Sequence, residues 1–248
     1  MSVGIVVRKC AGIEEFQRCV ALQREIWGEQ DIEVEPATMF VVATETGGQV
    51  LGAFDGEKLV GYTLAVVGYA NGTVFLHSHM TGVHGAYRDR GVGRALKLFQ
   101  REEALGRGIR LIVWTFDPLE TRNAHFNLNR LGSIARKYLP NLYGLTTSPL
   151  HLGLPTDRLW AEWQLDSARA VAAVSDLAVE PEVASSPAKI ELPAELDQWK
   201  RRDAAEVAKV QARIREEFEA WFRRGYAAVG VRKSSTGAAY LLVPWSDF

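Results

Sequence analysis

Two turn dipeptides constrain this chain most. Asp55-Gly56 and Asn71-Gly72 separate three strand-like runs, Val50 to Phe54, Leu59 to Tyr69 and Thr73 to Val83. Such pairs favour the positive φ of type I′ turns, whose twist matches that of paired strands, so the spacing predicts three consecutive antiparallel strands. Ahead of them, Ile5-Val6-Val7 reads as a strand, and Ile13, Phe16, Val20 and Trp27 recur on one face of a helix. A shorter helical stretch runs from Pro36 to Thr44. Beyond them, Val92, Leu96 and Phe99 mark a helix that ends near Gly106 and Gly108, and a buried-looking strand follows at Ile109 to Phe116. A helix-length crossover predicts that this strand runs parallel to Thr73–Val83. The fold class is therefore mixed α/β, a mostly antiparallel sheet with one parallel central pair, flanked by helices.

Asp117-Pro118-Leu119-Glu120 reads as a helix start, with Asp117 as N-cap, Pro118 at the first helical position and Glu120 three after the cap, and the helix runs to Gly132. Strands are expected at Ile134 to Tyr138 and Leu159 to Leu165, joined by a long connection from Pro140 to Asp157. Residues 1–166 form the main domain. Residues 167–195, rich in Ala, Val, Ser, Glu and Pro without steady periodicity, read as a linker. In 196–248, Val207, Val210, Ile214, Phe218 and Trp221 stripe a long helix, and Tyr226–Val231 with Ala239–Val243 suggest a hairpin. That extension is too small to stand alone, so it is expected to pack on the main domain or across a homodimer.

Composition narrows the function. With 47% hydrophobic residues and a net charge of -1 over 248 residues, the chain is neither a disordered tail nor a coiled coil. It also lacks a global field for a polyanion, so no nucleic-acid partner is expected. No apolar run approaches the roughly 20 residues of a membrane span, and the N-terminus lacks a signal-like apolar region, which predicts no membrane and a cytoplasmic location. Cys10 and Cys19 are too few for a disulfide scaffold and suggest reduced thiols.

Chemistry concentrates in Arg88-Asp89-Arg90-Gly91-Val92-Gly93, placed between a strand and a helix. Its glycines let backbone amides approach a ligand at a helix N-terminus, a setting that suits phosphate. Arg88, Arg90, Arg94, Lys97 and Arg101 crowd the same turn and helix face; a solvated basic face is the plain alternative. Rival motifs fail. Gly91 is followed by Val92 rather than by the Lys-Ser or Lys-Thr of a Walker loop, Leu96 stands where a dinucleotide fingerprint needs a small residue, and no Gly-x-Ser-x-Gly elbow exists.

The run from Val83 to Gly93, with its Arg-x-x-Gly-x-Gly core, resembles the acyl-CoA-binding motif of the GNAT acyltransferase superfamily. The order of elements from Met1 to about Leu165 is similar to that superfamily's arrangement. Trp114-Thr115-Phe116-Asp117-Pro118-Leu119-Glu120, Asn123-Ala124 and Gly153-Leu154-Pro155-Thr156-Asp157-Arg158 resemble a branch of predicted acyltransferases without a stated substrate. The resemblance implies a donor, acetyl-CoA or another acyl-CoA, with its pyrophosphate on amides of Arg88, Asp89, Arg90, Gly91, Val92, Gly93 and Arg94. It also implies a pantetheine arm against the backbone of Thr81, Gly82 and Val83, where parallel strands splay. The implied reaction moves an acetyl or other short acyl group, succinyl included, to the amine of a small molecule, without a metal. A non-catalytic CoA-binding sensor or regulatory domain is the alternative.

His77 and His79, two apart on a strand, are expected to share a face. They read as structural residues, as a general base or, lacking an evident third ligand, as part of a metal site. The resemblance places His77 where many members carry the base, with His79 as reserve. Leu128 stands where the family often has a tyrosine that protonates the departing thiolate, leaving Tyr138, Tyr143 or water as substitutes. Asp117 is expected to cap a helix rather than catalyse. Asp157 and Arg158 are candidates for the acceptor side, with a turn followed by an edge-strand arginine as the competing reading.

Overall fold

The N-terminal strand β1 (Val6–Lys9) leads into α1 (Gly12–Trp27), followed by α2 (Ala37–Glu45). The strands β2 (Gln49–Asp55), β3 (Lys58–Ala70) and β4 (Thr73–Val83) then pair antiparallel in turn. The two hairpins differ in detail. Asn71 and Gly72 both take positive φ, 50° and 76°, the geometry of a type I′ turn. In the other hairpin Asp55 pairs with Lys58, so the loop is Gly56-Glu57 rather than Asp55-Gly56. Only Gly56 has positive φ there, 59°, the requirement of the first central position of a type II′ turn.

This computed structural model describes residues 4–28, 34–144, 153–175, 187–234 and 237–245, in two units, Met1–Val113 and Trp114–Phe248. In the first, α3 (Val92–Gly106) connects β4 to β5 (Leu111–Phe116), which straddles the boundary. The strand order is β1-β2-β3-β4-β5. Phe16, Cys19 and Leu22 of α1 and Phe40 of α2 bury against Tyr62 and Leu64 of β3. Val92 and Leu96 of α3 bury against Leu51, Ala53 and Val60. Both cysteines are unpaired core residues.

Two irregularities in β4 position the site. Leu64 pairs with Met80 and Ala65 with Ser78, so His79 is the extra residue of a β-bulge. One extra residue inverts the alternation beyond it; Thr81 and Val83 consequently share the face of Ser78. The second irregularity is the parallel ladder to β5, which holds only the pairs Leu76↔Ile112 and His77↔Val113, although β4 continues to Val83.

In the second unit, α4 (Thr121–His125) runs into a π-helical turn, Phe126–Arg130. Next come β6 (Ile134–Leu139), β7 (Arg158–Gln164), α5 (Ala168–Val174), β8 (Ala188–Pro193), α6 (Leu196–Arg202), α7 (Ala204–Arg223), β9 (Tyr226–Ser234) and β10 (Gly237–Pro244). The strand order is β7-β6-β9-β10-β8. The stretch read as a linker, 167–195, thus contributes α5 and β8, the latter pairing with β10. The C-terminal extension is integral to this unit. Strand β9 pairs with β6 at Ala135↔Ala228, and Phe218 of α7 packs with ring centroids 5.8 Å from Tyr138 and 5.0 Å from Tyr240. Residues 145–152 of the connection from Pro140 to Asp157 lie outside the described residues.

Candidate functional site

The turn before α3 is built for an anion. Gly91 is the N-cap in the left-handed region, φ 79°, with no side-chain cap, and α3 has no acidic residue in its first turn. Asp89 adds a second left-handed position at φ 63°. The first amides of a helix have no intrahelical acceptor, and fifteen aligned peptide units place partial positive charge beside them. Val92 is buried and anchors the turn, while Gly91, Arg88, Asp89 and Arg90 are exposed and Gly93 and Arg94 half-buried. Arg88 Nε donates to Val83 O at 3.4 Å, and the Arg90 guanidinium lies 5.3 Å from the Tyr87 ring centre. Uncapped amides beside three guanidiniums are the donor set that a pyrophosphate needs. Gly82 has a different occupation. A Cβ there would approach Trp27 and Ile26 of α1 to 2.7 and 2.8 Å, so its smallness serves helix packing. Thr81 hydrogen-bonds through its hydroxyl to Thr63.

His77 and His79 come together as strand alternation predicts, ring centroids 6.1 Å apart. His79 Nε2 lies 2.9 Å from Glu35 Oε1. Burial first, then the charges of His79 and Lys97, pull His77 down to about 4, so its imidazole is neutral at physiological pH. Lys97 overturns its place on the solvated basic face. It is buried, and its Nζ donates to Ser78 Oγ at 2.7 Å and Gln100 Oε1 at 3.0 Å. Burial lowers it to about 7. The signal was present in the sequence, because Lys97 directly follows Leu96 on the stripe that α3 turns inward.

The second unit separates the remaining candidates. Asp157 is buried, and its carboxylate accepts from Tyr138 OH at 2.8 Å, Asn141 N at 2.9 Å, and Arg215 Nε and Nη2 at 2.8 and 2.9 Å. All its acceptor capacity is spent inside the fold, which corrects its reading as a substrate ligand. Burial and the Asp157 charge push Tyr138 well above the usual phenol range, so it keeps its proton and belongs to the same cluster. Tyr143 stands otherwise. It is 47% exposed, its OH lies 2.9 Å from Thr115 Oγ1 of β5, and the Arg158 guanidinium sits 5.4 Å from its ring centre. Leu128 is fully buried in the π-helical turn. Asp117 caps a turn, not a helix: Oδ1 accepts from Leu119 N at 2.8 Å, while α4 begins only at Thr121. Burial raises Asp117.

Among the described residues no group of three or more His, Cys, Asp or Glu could hold a metal ion. None of their helices is long and apolar enough to cross a membrane.

A bulged β4, a short parallel ladder to β5 and a glycine-capped helix with basic flanks make up the candidate site of the first unit. Residues 16–132 match the model of the Acetyltransferase (GNAT) family. Solved structures share the fold. The ribosomal-protein-S18-alanine N-acetyltransferase of Escherichia coli aligns at TM-score 0.52 and 12% identity, covering 66% of this chain and 96% of its own. NAA60 of Arabidopsis thaliana, bound to a bisubstrate analogue, aligns at 0.51 and 16%, covering 64% and 97%. The yncA protein of Salmonella typhimurium, solved with its cofactor acetyl-CoA, aligns at 0.52 and 17%, covering 67% and 97%. No curated protein matches the chain by sequence.

Proposed function

We propose that this protein transfers an acetyl or other short acyl group from acyl-CoA to the amine of a small molecule. The observation that carries it is the glycine-capped N-terminus of α3, with uncapped amides and Arg88, Arg90 and Arg94 around it. These groups hold the pyrophosphate, and the backbone of Thr81 and Val83 lies along the pantetheine arm. When bound, acyl-CoA supplies an activated thioester carbonyl. The chain's own groups position the reactants and handle protons. His77, neutral because it is buried, accepts the proton released as the amine nitrogen bonds to the acyl carbon, and His79, held by Glu35, is the reserve. Tyr143, whose hydroxyl is fixed by Thr115, donates to the departing sulfur in place of the tyrosine that Leu128 replaces. Arg158, beside it, is the acceptor-side cation.

A second reading, a CoA-binding regulatory module without chemistry, is favoured by Leu128 alone. Release of free thiol from acetyl-CoA and succinyl-CoA across a panel of small amines separates the two. Amine-dependent thiol release supports transfer, with Tyr143→Phe slowing it about tenfold or more on the scale of lost acid catalysis. CoA binding without release on any amine supports the regulatory module.

A further inference from the structure

A cavity of about 950 Å³ opens within the second unit, and none of the groups assigned to acyl transfer lines it. Its floor is apolar. Ile134 and Val229 form a buried cluster with Val243 and Trp245 packed against it, and all four line the cavity. One wall is α5, through Arg169 and Ala172.

The charges around the cavity are unevenly satisfied. Arg136 is ion-paired with Glu162 at 2.6 Å, and Asp166, which also lines the cavity, is exposed to solvent. Arg169 differs from both. Its Nη2 donates to the backbone oxygens of Leu128, at 2.8 Å, and Val229, while Nε has no hydrogen-bond partner and no described carboxylate pairs with it. Two carbonyls orient this guanidinium without neutralising it. Burial lowers it only to about 10, so it stays charged at neutral pH. A largely buried cation without a counter-ion is costly, and an anion that reaches it recovers part of that cost. An apolar floor adjoining one such cation suits a ligand with the same division.

We propose that this cavity binds an organic carboxylate with an apolar body, the carboxylate on Arg169 and the body over Ile134, Val229, Val243 and Trp245. The site uses no residue of the 88–94 turn, so it stands or falls independently of the catalytic assignments.

The test uses the whole protein with saturating CoA present, titrated with cis-parinaric acid, a fluorescent polyene carboxylate, and with its uncharged methyl ester. The acid is expected to bind at one equivalent and at least about tenfold more tightly than the ester, the scale of a charge-assisted hydrogen bond. Ala172→Trp, which fills the cavity from α5, is expected to abolish binding of both. Arg169→Gln is expected to lower the acid to the ester's affinity while leaving the ester unchanged, with Arg169→Lys restoring part of the preference; a merely structural role would weaken both probes alike. Equal affinity of acid and ester in the unmodified protein, binding that survives Ala172→Trp, or failure of the acid to bind while CoA is saturating would each overturn the proposal. The acid-to-ester ratio and Ala172→Trp decide the matter even if Arg169→Gln does not fold.

Discussion

The turn before α3 and the cluster around Asp157 are both rich in charge, and the sequence marks both as functional. Their structures are opposite. At Arg88–Arg94 the cations are exposed or half-buried and the helix amides lack a side-chain cap. At Asp157 one buried carboxylate is saturated by Tyr138, Asn141 and Arg215. Charge held at an exposed helix entrance is accessible to a ligand, whereas charge paired in the interior fixes one element to another. Here it ties the β6–β7 connection to α7. The difference teaches that residue type and spacing nominate candidates, and hydrogen-bond accounting decides among them.

The comparison can be broken in several places, beginning with the largest effect. His77→Ala is expected to lower kcat by about 100-fold or more with CoA affinity intact. Because His77 lies at about 4, activity is expected to fall as pH drops through about 4, where the imidazole takes up a proton. The acid limb should thus be absent from the ordinary histidine range near 6.5. Steady-state kinetics from pH 3.5 to 8 check both; full turnover in the variant would move the role to His79 or to solvent.

Asp157→Ala sharpens the other side. It leaves Arg215, Tyr138 and the Asn141 amide without their shared acceptor, so stability should fall by about 2–4 kcal/mol. CoA affinity should stay unchanged. Urea unfolding and calorimetry on the same sample measure the two, and weakened CoA binding at unchanged stability would invert the assignment.

These two outcomes bear on how far the sequence could be read. Hairpin turns, α3 and the parallel crossover were legible because they are written in local turn chemistry and in periodicity. Asp117 misled because its capping pattern is satisfied by a single turn, leaving α4 to start at Thr121. Strand β8 and helix α5 were missed because one is a short edge strand and the other seven residues of mostly Ala and Val without a stripe. The spending of Asp157 was invisible because its partner Arg215 lies 58 residues away. The bulge at His79 likewise depends on register with β3, which no local pattern records.

Lys97 gives the smallest effect. It is protonated below about 7 in the folded protein, whereas an unfolded lysine is protonated up to about 10.4. Folding therefore excludes a proton between these values, and stability should rise as pH climbs from 7 toward 10. Lys97→Met should flatten that rise and add about 1–3 kcal/mol of stability at pH 7 by removing a buried amine. Thermal melts at pH 7 and 9.5 compare the two proteins; a destabilised Lys97→Met would show that the amine's bonds to Ser78 and Gln100 outweigh its burial.

The central claim is that backbone amides at the Gly91-capped end of α3 hold the pyrophosphate of acyl-CoA. Calorimetric titration of CoA into the unmodified protein and into Gly91→Asp, a variant that forces a side chain and a negative charge into a position with φ 79°, tests it most directly. The predicted result is binding by the unmodified protein and a loss of about 100-fold or more in the variant, whose circular dichroism and melting profile remain those of a folded protein. Equal CoA affinity in the two folded proteins would contradict it.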